Sequence, residues 1–183
     1  SPSGKYILYG KDTEGDEREG YYLITPDGLK GKEILAPSDA FRFFGGFNQD
    51  GNQFTYSSTI RNGRDFDIYI YDLPTGTTTR VYLGELGYIP VSISPHGSHI
   101  LITERIGEDA NIPYLLNVAD STLTQLANPQ EPSIYSHFNW KSDGSGFYMR
   151  TNHNREYTGV AYYDVATRQL TYLVSQENEI DQV

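Results

Sequence analysis

The side chains whose types and spacing could do chemistry are four histidines, one acidic run and one arginine–aspartate cluster, scattered through 183 residues. His96 and His99 sit three apart, as two metal ligands can. A metal site needs three or four ligands, however, and no third lies near them in sequence. One falls in a turn and the other opens a strand, so surface or edge packing is the expectation. His137 and His153 stand alone and are assigned no role. The run KDTEGDEREG (11–20) has the composition of a calcium loop. Its oxygens do not fall at alternate positions with glycine sixth, so it reads as a solvated strand connection. Arg61, Arg64, Asp65 and Asp67 crowd into RNGRDFD. Loops often carry ligand contacts, but Asp and Arg at such a place also satisfy loop backbone groups, which is the reading favoured here. No catalytic, cofactor-binding or metal-ligating residue is expected.

The elements that must position these residues are strands. Aromatics make up 14% of the chain, with 16 tyrosines, and ring-bearing and β-branched side chains favour pleated structure. The expected class is all-β. A chain this long buries roughly 70% of its unfolded surface, enough for one domain spanning residues 1–183. The net charge of −10 repels a phosphate backbone, and no basic stripe offsets it, so nucleic acid is not an expected partner. With no cysteine, disulfides, thiol nucleophiles and sulfur-ligated metals are excluded. No run approaches the ~18 apolar residues of a membrane span. The compartment stays open; the lack of an Asn-x-Ser/Thr acceptor is consistent with a cytoplasmic location.

Gly4, Gly51, Gly97 and Gly144 fall 47, 46 and 47 residues apart. Each follows a polar turn and precedes an apolar strand, in SPSGKYILY, NQDGNQFTY, SPHGSHILI and KSDGSGFYM. A fixed period of this length marks a repeat architecture. Each repeat continues with a second strand (DIYIYD, PYLLNV, VAYYDV), a short turn and a third strand. A further apolar segment precedes the glycine in the last three: FRFFGGF, YIPVSI and IYSHFNW. Four short alternating strands per ~46 residues describe a β-propeller blade. Helical repeats would show a 3.6-residue stripe, and none is present. Four blades are expected, at about 1–40, 41–87, 88–133 and 134–177, with 178–183 starting a further blade or serving as a closing strand. Glycine is expected at the four turns for its positive φ. Trp140, Tyr69, Tyr71, Tyr162 and Tyr163 are read as packing within and between blades before any binding role.

These repeats resemble the Ser-Pro-Asp-Gly units of TolB-type propellers. The stretches 56–82 and 140–173 resemble the N-terminal propeller of the prolyl oligopeptidase and acylaminoacyl peptidase family, in which an Arg-Glu-Phe/Tyr link joins two strands of a blade, as Arg155, Glu156 and Tyr157 do here. The resemblance implies a noncatalytic propeller that covers a hydrolase active site and restricts substrate by size. A free-standing TolB-type interaction module is the alternative. The family's catalytic serine lies on a Gly-x-Ser-x-Gly elbow, and no such pentapeptide occurs in this sequence. The first repeat lacks the apolar segment that precedes the other glycines. Partners are therefore expected to be a hydrolase domain or a second copy, two four-bladed arcs closing one ring.

Overall fold

In the computed structural model, residues 1–174, 176–178 and 180 are described. The strands among them form four antiparallel sheets of three or four strands. Backbone contacts gather the chain into two compact units, Ser1–Ile93 and Ser94–Val183.

In the first unit, β1 (Ile7–Lys11), β2 (Gly20–Ile24) and β3 (Gly31–Leu35) make a three-stranded meander. A second meander follows, from β4 (Arg42–Phe47) through β5 (Gln53–Ser58) and β6 (Asp67–Asp72) to β7 (Thr77–Tyr82). Strand β8 (Tyr88–Ile93) ends the unit. Period-2 alternation explains why β5 and β6 are central. Register sets Phe54 opposite Tyr71 and Tyr56 opposite Tyr69, and both pairs stack with ring centroids 5.2 Å apart. Tyr21 of β2 meets Phe54 and Tyr56 edge-on, so an aromatic core joins the first two sheets. Such cross-strand ring pairs stabilise a sheet beyond simple area burial.

The second unit holds β9 (His99–Arg105), β10 (Asn111–Asn117) and β11 (Thr122–Gln125), then β12 (Tyr135–Trp140), β13 (Gly146–Thr151), β14 (Gly159–Asp164) and β15 (Gln169–Val174). Ile100, Leu101, Ile102, Leu116 and Phe147 are fully buried. Asn111, at the start of β10, donates through its amide to the Tyr135 carbonyl at 2.9 Å and accepts from the Tyr135 N–H at 2.8 Å. A side chain thereby ties the β9–β11 strands to β12 where no ladder does. Phe147 stacks on Tyr163, its cross-strand partner, at 5.2 Å, repeating the Phe54–Tyr71 pair of the first unit.

Gly4, Gly51, Gly97 and Gly144 have φ of 68, 67, 74 and 72°. Each donates its N–H to the carbonyl three residues earlier, at 2.9 to 3.0 Å. The four turns are thus one structure used four times, and the left-handed backbone explains the residue type. Of the segment 178–183, Glu179, Asp181, Gln182 and Val183 lie outside the described residues, and the expected closing strand with them.

Candidate functional site

The Arg61–Asp67 segment bridges β5 and β6 and is built as a loop clamp. The Asp67 side chain is wholly buried. Its carboxylate accepts Arg61 Nε at 2.8 and 3.0 Å and the Gly84 N–H at 3.1 Å, while Arg61 Nη2 donates to the Gly84 carbonyl at 3.2 Å. Asp65 takes the Asn62 amide at 2.7 Å, and Arg64 is exposed. These charges are spent on backbone and on one another, so the cluster fixes two loops instead of lining a pocket.

The other residues weighed in the sequence are dispersed. His96 is exposed in its turn. His99 is half-buried at the start of β9, with Nδ1 3.0 Å from Ser98 Oγ, and burial pushes its pKa below the ordinary imidazole value. Among the described residues no three His, Asp or Glu side chains converge as a metal site would require. The 11–20 run forms the β1–β2 connection, where Asp12 accepts the Glu17 N–H at 3.1 Å and Asp16 the Arg18 N–H at 3.1 Å. His137 sits at φ 54° in a bulge between β12 and β13. Trp140 packs edge-on against Phe147 at 5.1 Å, and its buried Nε1 has no hydrogen-bond partner among the described residues. Tyr69 and Tyr71 belong to the core. Tyr162 lies beside Tyr148, ring centroids 5.3 Å apart.

Concave surfaces remain in both units. In the first unit a groove of about 530 Å³ runs beside the β2–β3 hairpin, lined by Lys5, Lys30, Lys32, Tyr6, Asn52 and Tyr71 among others. Its three lysines are exposed. In the second unit a cleft of about 570 Å³ is lined by Tyr135, His153, Arg155, Tyr163, Arg168 and Tyr172, with Leu126, Asn154 and Leu170 also in its walls. Strand pairing brings these together: β12 supplies Tyr135, the β13–β14 link His153, Asn154 and Arg155, the β14–β15 hairpin Tyr163, Arg168, Leu170 and Tyr172, and the residue after β11 is Leu126. His153 Nδ1 lies 2.9 Å from Tyr135 Oη, and Tyr172 Oη donates to the His153 carbonyl at 2.7 Å. The Arg155 guanidinium lies 4.9 Å from the Tyr172 ring centroid, a cation–π geometry. Burial raises the Tyr172 pKa against the opposing pull of Arg155, so the phenol stays protonated.

In sequence, neither a protein-family model nor a curated protein matches the chain. In structure it is similar to TolB from Acinetobacter baumannii, with a TM-score of 0.71 at 20% identity over 96% of this chain and 43% of that one. This is a β-propeller fold. A TolB structure from Agrobacterium tumefaciens gives 0.67 at 19% identity, over 94% of this chain and 62% of that one. Prolyl oligopeptidase B from Galerina marginata gives 0.68 at 16% identity, over 97% and 28%. The chain spans less than two thirds of each of these proteins, and what it shares with them is the fold, as four blade-like sheets of a propeller. Sequence reasoning reached that architecture and its turn glycines. It passed over the second-unit cleft, taking Arg155 as a link residue and giving His153 no role. One signal was available: overlaying the repeats sets Arg168 where the second repeat has Gly76.

Proposed function

We propose that the chain is a noncatalytic propeller domain that covers a hydrolase active site and restricts substrates by size. The observation that supports it is the likeness over 97% of this chain to a part, 28%, of prolyl oligopeptidase B. The polar clusters agree with it. Those that resemble sites in sequence, such as Arg61–Asp67, are spent on loop structure. In such a domain the sheets form a rigid wall and selection is steric, so no reacting side chain is required of it.

The test begins with the gene product that carries residues 1–183. An associated hydrolase domain should hydrolyse short peptides in preference to long ones, and deleting residues 1–183 should remove that preference. A hydrolase whose length preference survives the deletion, or a product with no hydrolase domain, defeats the gating role. A second reading, a TolB-type interaction module, draws on the TM-score of 0.71 with TolB. A defined protein partner bound by the isolated chain, in a product without a hydrolase, would select it.

A further inference from the structure

The β2–β3, β6–β7, β10–β11 and β14–β15 hairpins each place one residue in the left-handed region: Gly28 (φ 74°), Gly76 (68°), Ser121 (58°) and Arg168 (57°). Gly76 and Arg168 are built alike. Each donates its N–H to the carbonyl four residues earlier, Asp72 or Asp164, at 2.8 Å. In both turns that aspartate also accepts from the threonine N–H, at 2.9 Å from Thr75 and 2.8 Å from Thr167. A glycine therefore serves this turn, and a bulky side chain there is a local strain that the fold does not need. Arg168 lines both the 570 Å³ cleft and the adjoining 220 Å³ hollow.

A second oddity lies across the cleft. Arg155 stacks on Tyr172 and donates from Nη2 to the Gln176 carbonyl at 3.3 Å. Its Nη1 is buried with no hydrogen-bond partner among the described residues. A Cβ on Gly159 would come within 2.8 Å of that nitrogen, so glycine keeps the space the guanidinium occupies. Arginine is a strong, planar donor to carboxylates. Among the described residues the cleft wall carries two arginines and a histidine and no carboxylate, in a chain whose net charge is −10. Its remaining described lining is three tyrosine rings, two leucines and Asn154. A concave apolar surface with a few convergent polar groups is how small-ligand sites are made.

We propose that this cleft binds a small carboxylate carried on a flat ring, its oxygens taken by the guanidinium groups of Arg155 and Arg168 and its ring lying among Tyr135, Tyr163 and Tyr172. The charge sets the sign of the ligand, and the tyrosines set its body. The lysine groove of the first unit makes no comparable case, because nothing orients its exposed side chains.

The experiment follows the His153 imidazole by NMR, one of only four in the chain, at constant ionic strength. Sodium benzoate is the probe, benzamide its neutral counterpart, and inorganic phosphate a carboxylate-free anion. Benzoate should shift His153 saturably, benzamide should not, and phosphate should bind more weakly. Arg168→Gly should weaken benzoate roughly tenfold or more, the loss of one charge-assisted hydrogen bond, while leaving the melting temperature unchanged or raised, as glycine suits the turn. Arg155→Lys, which keeps the charge and loses the fork, should also weaken it. No saturable shift up to the solubility of benzoate overturns the site, as does undiminished binding by folded Arg168→Gly. Phosphate binding as tightly as benzoate overturns the ring-carboxylate assignment.

Discussion

Arg61 and Asp67 face each other across the β5–β6 link, the guanidinium Nε donating to both carboxylate oxygens at 2.8 and 3.0 Å. Arg80 Nη1 lies 3.6 Å from the same carboxylate. Asp67 is inaccessible to solvent, so removing its charge leaves Arg61 Nε and the Gly84 N–H without their acceptor and Arg80 without its ion pair. Asp67→Ala should destabilise the protein by about 3 kcal/mol, the range for breaking a buried pair. Arg61 is partly exposed, and Arg61→Met should cost less. Chemical denaturation of the two variants checks the order. Equal stability of Asp67→Ala and the parent would mean the clamp contributes nothing.

The repeated turn gives a second expectation. Gly97 has φ 74° and donates to the Ser94 carbonyl at 2.9 Å. Gly97→Val should cost about 1–2 kcal/mol or more, because a β-branched residue is disfavoured in the left-handed region. Gly97→Asn, which tolerates that region better, should cost less. A valine variant as stable as the asparagine one would show that the turn relaxes.

The strands and turns were legible because both depend on neighbours in sequence. QFTYSS, DIYIYD and GFYMRT are β5, β6 and β13 to the residue, each an alternating run closed by turn residues. The ring pairs were less so, since Phe54–Tyr71 depends on register. The cleft was not legible at all. Its lining runs from Leu126 to Tyr172 and meets only after β12 to β15 have paired, and the strained backbone at Arg168 has no sequence mark beyond its alignment with Gly76. RNGRDFD misleads in the other direction, because a loop clamp and a binding loop need the same residue types.

Phe54 is the hub of the first-unit core. It is fully buried and has Tyr71, Phe47, Phe44, Tyr56 and Tyr21 with ring centroids 5.2 to 6.2 Å away. Phe54→Ala should lose about 3–5 kcal/mol, and Phe54→Leu much less, because leucine fills most of the cavity. Near-ultraviolet circular dichroism and urea titration read both. Parity between the two variants would mean that cavity size does not set the cost.

Asp143 supplies an acid-side test. Its carboxylate accepts the Ser145 N–H at 2.9 Å and hydroxyl at 2.7 Å and pairs with Lys141 at 3.1 Å. The Ser145 backbone bond leads the causes that draw its pKa down to about 2. The unfolded carboxyl titrates near ~3.9, so the stabilisation is present above that pH and is lost as pH falls towards about 2. Asp143→Asn should therefore melt below the parent at neutral pH, with the gap closing as the pH is lowered through that window. A gap independent of pH would assign the effect to shape and not to charge.

His99 titrates in the opposite sense for a base. Burial lowers its pKa, with Asp120 opposing, so the folded protein holds the neutral imidazole more strongly than the unfolded chain does. Above the unfolded value of ~6.5 both states are neutral and the residue adds no pH dependence. As pH falls below ~6.5 the unfolded chain takes up a proton that the folded protein resists, and stability drops until the lowered folded pKa is reached. Melting temperatures of the parent and of His99→Gln, measured from about pH 7.5 to about pH 5, isolate this contribution from that of the carboxylates. The parent should lose more than the variant over that interval. Parallel curves would mean that His99 is protonated as readily in the folded protein as in the unfolded chain, and that its half-burial at the start of β9 carries no electrostatic cost.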